Sequence, residues 1–396
     1  MGMKFGFLAY LVLPVSLLCL VACSSYNGPN TTGTGLLYVT AQANTTISAY
    51  VVTQCSGALT GNGNSIGTGS VPTAIAMTPA ANALFVLNSG SNNISTYSVD
   101  SAGALTAIST TTPTGKTPTG LATDPAGKFL FVANQTSSDI SVYTINGTGL
   151  TQVPGSPFTT IPAGYSYPDG TLPAAVAVSK SGKYLYVANQ SANFVSAFAI
   201  NPTSGALTAL GTPFYNVGIS PSGVAVTPNG GFLYVANAGA NSNNISAFAI
   251  CDAVVTSCTN VNNPDGTLTP VAGSPFPAGL GPVAIVFDPG FNFVYVVDKG
   301  SNQISQYAYG PGSGVMTPLS PGTISTGLTP VSMVVLSGVI PADVGNSLYN
   351  VTDYAYVANL GAGTISTFSL ATSTGLLTVV GQPLVIFGQT SAVAGK

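Results

Sequence analysis

The sequence predicts an all-β ring of seven four-stranded antiparallel blades, and three observations carry the prediction. First, one strand-turn-strand unit, KFLFVANQTSSDISVY from Lys128, returns along the chain with central valines at Val39, Val86, Val132, Val187, Val235, Val296 and Val357. Self-similarity at a period of roughly 45 to 60 residues marks a repeat architecture. Second, the run Phe129 to Ala133 is too short for a helix and apolar on both alternating faces, so it reads as a strand between two layers. Third, short apolar strands such as Pro72 to Met77 and Pro118 to Thr123 precede only six of the seven hairpins, while Thr390 to Ala394 is left over at the C-terminus. That segment is expected to enter the first blade as its inner strand and close the ring, leaving no open sheet edge. The expected fold is a seven-bladed β-propeller.

In chain order, Lys4 and the apolar stretch Phe5 to Val21, ending at Ala22-Cys23, have the layout of a secretory signal. Residues 1–22 are read as that signal. Leu20-Val21-Ala22-Cys23 also resembles the lipobox of bacterial lipoproteins, which implies a diacylated Cys23 as the mature N-terminus and a membrane anchor. An ordinary signal peptide with a chance Cys is the alternative. Ser24, where lipoproteins kept at the inner membrane often carry Asp, favours the outer membrane or cell surface. Residues 23–35 then form the lipidated Cys and a flexible tether, and residues 36–396 form the ring.

Within a repeat, Pro118 to Thr123 is the inner strand, closed by the turn Asp124-Pro125-Ala126-Gly127. The hairpin follows, its polar turn rich in Asn, Ser and Thr, and a Gly-rich turn leads to a fourth strand near Leu150. A Ser stands nine residues after the central Val in six copies, as in Val132 to Ser141. In the fifth copy, Val235 to Ser246, it stands eleven after, so that hairpin loop is two residues longer. An insertion between the third and fourth strands of blade five holds Cys251 and Cys258. In an exported chain these are expected to form a local disulfide. Cys55 is left over, as a half-buried thiol or a functional one.

The YVAN and ISAF repeats with PxxxAV strands resemble the YVTN-type repeats of the seven-bladed propellers grouped with 6-phosphogluconolactonase. The resemblance covers nearly all of the chain after the signal region and implies the same ring. It also implies a lactonase activity that uses charged side chains, including Glu, Arg and His, around the central channel.

Composition pulls the other way. Charged residues are 4% of the chain, with seven basic and ten acidic side chains and no His. Every basic residue is Lys and every acidic one Asp. General acid-base chemistry near neutral pH usually draws on His or a tuned Glu, and triads or metal-bound water lack an imidazole here. No catalytic residue carries over from the resemblance, and no cofactor or metal is expected. A net charge of −3 without a basic stripe argues against a nucleic-acid partner.

Binding has more residues to draw on. The connection from Leu150 to Pro173 is longer than most others and holds Tyr165, Tyr167 and Asp169, which suit a glycan or peptide, or else merely pack on the rim. Lys116, Asp139, Asp298 and Lys299 are expected on the same face. The series Asn88, Asn134, Asn189, Asn237 and Asn359, with Asp298 in its place in blade six, is read chiefly as turn-forming or strand-capping. The expectation is an exported, lipid-anchored propeller that binds or displays without catalysis. A self-associating structural protein and a lactonase-like hydrolase using Asp and Lys are the alternatives.

Overall fold

The computed structural model describes residues 35–396 except 54–55, 162–163, 165, 167–169, 253–264, 338–351, 387 and 396. It contains seven antiparallel sheets, each built from consecutive segments of the chain except one. That one is blade one, where Gly35–Ala41 pairs with Thr46–Val52 on one side and with the C-terminal Thr390–Gly395 on the other. The ring is closed as the unpaired C-terminal strand implied, one residue longer than expected.

The seven inner strands pack each on the next around the axis, with Thr390–Gly395 between Pro330–Leu336 and Pro72–Met77. The second strands, such as Ala83–Asn88 and Tyr184–Asn189, are buried along their whole length. Both of their faces are apolar because a blade lies on either side. The core is accordingly a set of clusters between neighbouring blades. Phe131 and Ile140 of blade three meet Leu185 and Val187 of blade four, and Tyr356 and Ala358 of blade seven meet Leu37 and Val39 of blade one. The nine-residue step from Val to Ser is the hairpin register itself, since Val86 faces Ser95 and Val132 faces Ser141.

Polar staples join the blades at the end of the ring away from the hairpin loops. The hydroxyl of Tyr186 donates to the Gly266 carbonyl of the next blade at 3.0 Å, and Tyr295 does the same to Gly375 at 2.7 Å. Tyr356 donates to Gly57 at 2.9 Å across the closure. Blades two and three carry Phe85 and Phe131 at this position and lack the bond. The accepting turn needs glycine for two reasons. At Gly266 φ is +88°, and a Cβ there would stand 2.5 Å from the Tyr184 ring.

The outer strand alternates around the ring in a way the sequence reading did not anticipate. In blades two, four and six it is continuous, as Leu105–Pro113, Leu207–Asn216 and Met316–Ser325. In blades one, three, five and seven it is split into two short segments that both pair with the third strand. The break in blades three and five falls on the motifs Val153-Pro-Gly-Ser-Pro157 and Val271-Ala-Gly-Ser-Pro275. Proline alone does not decide the break, since the continuous outer strand of blade six contains Pro318 and Pro321.

Candidate functional site

The channel wall consists of the seven inner strands, and none of them contains a charged residue. Some of their hydroxyls are spent on the neighbouring blade and others, such as that of Thr73 on the Leu87 carbonyl at 3.3 Å, on their own. Thr119 donates to the Pro173 carbonyl at 3.0 Å and Ser222 to that of Pro282 at 2.6 Å. Charged side chains stand at both ends of these strands: Asp124 and Asp288 follow those of blades three and six, and Lys116, Asp298 and Lys299 lie at the mouth, where the inner strands begin and the hairpin loops end.

The mouth is built the same way seven times. The residue just before each inner strand is left-handed: Val71, Thr117, Leu172, Ser220, Gly281, Thr329 and Gln389, with φ between 50° and 60°. Six of the seven are not glycine, an uncommon conformation for an L side chain. The twist lets two successive carbonyls face the hairpin loop, so that Gln135 and Thr136 donate to Thr117 and Lys116, and Lys299 and Gly300 to Gly281 and Leu280. A Gly-x-x-Pro motif leads into six inner strands, from Gly69 to Gly327. It was legible in the sequence and was missed. In five of the six this glycine lies against the Asn or Asp that ends the second strand. A Cβ at Gly279 would meet Asp298 Oδ2 at 2.6 Å.

The asparagine series is structural, as expected, although its chief partner is a side chain. Asn88, Asn134, Asn189, Asn237 and Asn359 are fully buried. Each donates from Nδ2 to a hydroxyl of the third strand: Ser95, Ser141, Ser196, Ser246 and Ser366, at 2.9 to 3.0 Å. Asn189 also bonds the carbonyl of Val187 in its own strand at 3.1 Å.

Asp298 breaks the series chemically while keeping its place. It is fully buried, its Oδ2 accepts the Ser305 hydroxyl at 2.6 Å, and its Oδ1 has no hydrogen-bond partner. Burial pushes its carboxyl up to about 6, against the opposing hydrogen bonds from Ser305 and the Gly279 and Ser305 backbones. Asp298 is thus not the surface ligand contact that the sequence suggested. Lys299 beside it is exposed, and so is Lys116. These two lysines sit on blades six and three, so the structure does not bring them together. Asp139 is half-buried and accepts from Asn134 at 2.7 Å. Tyr165, Tyr167 and Asp169 lie outside the described residues, as do Cys23 and Cys55. Cys251 is disulfide-bonded, and Cys258 also lies outside the described residues.

Comparison with known proteins supports the resemblance read from the repeats. The family model described as lactonase, seven-bladed β-propeller, matches residues 67–153 and 150–254. No curated protein sequence matches the chain. Among solved structures, a Bacteroides fragilis protein assigned as a 6-phosphogluconolactonase is 19% identical, with a TM-score of 0.74 over 93% of this chain and all of that one. A Bacteroides uniformis protein with the same assignment is 19% identical, with a TM-score of 0.72 over 92% of this chain and all of that one. The periplasmic gluconolactonase PpgL of Pseudomonas aeruginosa is 20% identical, with a TM-score of 0.71 over 91% of this chain and 98% of that one. At these identities the structures speak for the fold. The family match corrects the functional expectation. A non-catalytic module that binds or displays is overturned by the match to a family named for lactonase chemistry. The expectation failed because it treated the missing His, Glu and Arg as decisive.

Proposed function

We propose that the protein is a lactonase-like hydrolase, with its reaction centre at the blade-six side of the channel mouth. The match of residues 67–254 to the lactonase family carries this reading. The charged groups at that side of the mouth are consistent with it. A carboxyl held up to about 6 exchanges protons near neutral pH, which is what a general base requires. In the hydrolysis, a water oxygen adds to the lactone carbonyl carbon while its proton passes to Asp298. The exposed ammonium of Lys299 stabilises the negative charge that collects on the carbonyl oxygen. The ring C–O bond then breaks, and the departing ring oxygen takes a proton from a water, which regains one from Asp298. Asp298 is fully enclosed, so the step requires the Gly279 turn that lies against it to part and admit a water, and every proton exchanged with the lactone passes through water.

The test is turnover of glucono-δ-lactone and γ-butyrolactone by the purified ring, measured against uncatalysed hydrolysis at each pH. Rates should rise with pH through about 6 as Asp298 ionises. Asp298→Asn should lose ~10²- to 10⁴-fold. No turnover above the blank for any lactone rejects the reading. A wild-type rate shared by Asp298→Asn moves the base elsewhere.

A further inference from the structure

The mouth is divided between two kinds of side chain. At the position two residues before the inner strand, blades five, six and seven carry Ile219, Leu280 and Leu328, which are 50%, 58% and 59% exposed. Blades two, three and four carry Ser70, Lys116 and Thr171 at the same position, and blade one carries a glycine. The fold accepts a hydroxyl, an ammonium or no side chain there, so it does not require an aliphatic one. Nor are the three loosely held. Their carbonyls accept hydrogen bonds from Gly239, Gly300 and Gly361 at 2.9, 2.8 and 3.1 Å, so each side chain projects from pinned backbone. Three adjacent blades thus present an apolar arc at the rim of an uncharged channel, and Lys299 stands in the hairpin that pins Leu280.

We propose that the substrate is a lactone bearing an alkyl or acyl chain, the chain lying along Ile219, Leu280 and Leu328 while the ring reaches Lys299. This inference rests on the hydrolase reading above and deepens it. A polyhydroxy sugar gains nothing from half-exposed aliphatic groups, since its hydroxyls lose water there without a partner. A hydrocarbon chain gains with each methylene it covers. The carbonyl end of the same molecule is the part a lysine attracts. One amphipathic ligand therefore matches both halves of the mouth.

The test is a homologous series of γ-lactones from γ-butyrolactone to γ-dodecalactone, with glucono-δ-lactone as the chain-free sugar probe. Binding is followed by calorimetry and turnover by product release. Affinity should rise about two- to fourfold per methylene. The triple variant Ile219→Ser, Leu280→Ser, Leu328→Ser should flatten that dependence. Its melting temperature serves as the folding control. Affinity independent of chain length, or a dependence that survives in the variant, overturns the proposal. A concentration-dependent dimer that the triple variant abolishes would assign the arc to a second copy of the chain and equally overturn it. Chain-dependent binding without turnover of any lactone supports the arc as the chain's site and rejects the hydrolase reading alone.

Discussion

Asp298 sits in a niche that five other blades fill with Asn, and the difference is a titratable carboxyl in place of an amide donor. The Asn side chain donates to a serine hydroxyl, whereas Asp298 reverses the bond and accepts from Ser305. Its carboxyl is raised from the unfolded value of 3.8 to about 6 by desolvation. A raised folded value means that the native state holds its proton more tightly than the unfolded one. The resulting stabilisation is fully present below about 4 and is lost as pH climbs through about 6. The shift corresponds to roughly 3 kcal/mol. Asp298→Asn should therefore melt higher than wild type at pH 7 and show a flatter dependence between pH 4 and 7. Denaturant unfolding at a series of pH values measures both. Parallel curves for the two proteins would remove the charge cost from Asp298. Stability and activity should move in opposite directions in this variant, which sets a working carboxylate apart from a merely structural one.

At the scale of the element, the C-terminal strand does work out of proportion to its six residues. Thr390–Gly395 completes the sheet of blade one and fills the gap between the inner strands of blades seven and two. Val393 is buried in the cluster shared by blades seven and one. Thr40 and Ser391 exchange a buried hydroxyl bond at 2.9 Å. Removing Gln389 to Lys396 should cost several kcal/mol, at about 25 cal/mol per Å² of apolar surface returned to water. It would also strand the N–H and C=O groups of Gly35–Ala41. Calorimetry of the truncated chain should give a lower melting temperature and a broader transition. A truncation that melts like the full ring would mean that closure carries little of the stability.

For the whole molecule, lipid attachment at Cys23 remains a proposal, resting on Leu20-Val21-Ala22-Cys23. Labelled fatty acid should enter wild type and not Cys23→Ser when both are expressed in a bacterial host. Equal labelling would make the tetrapeptide an accidental match. The ring's own architecture was legible almost throughout. Val132 facing Ser141 follows from counting nine residues, and the completion of blade one follows from one strand too many at the end. Half of the candidate site was not legible. Asp298 reads as a surface charge in a loop-starting series, and only its packing against Gly279 and Ser305 makes it a buried acid. Ile219, Leu280 and Leu328 read as loop residues without distinction.

What the sequence by itself determined was the number of blades, the strand registers and the closure. Those follow from periodicity, and periodicity is a property of the chain that needs no folding to be seen. Only the tertiary structure decided which charges face water and which are enclosed. It also decided which residues of distant repeats share the mouth, because burial belongs to neighbours that the ring brings together from opposite ends of the sequence. The uncharged channel and the divided rim exist only once seven separate segments stand side by side.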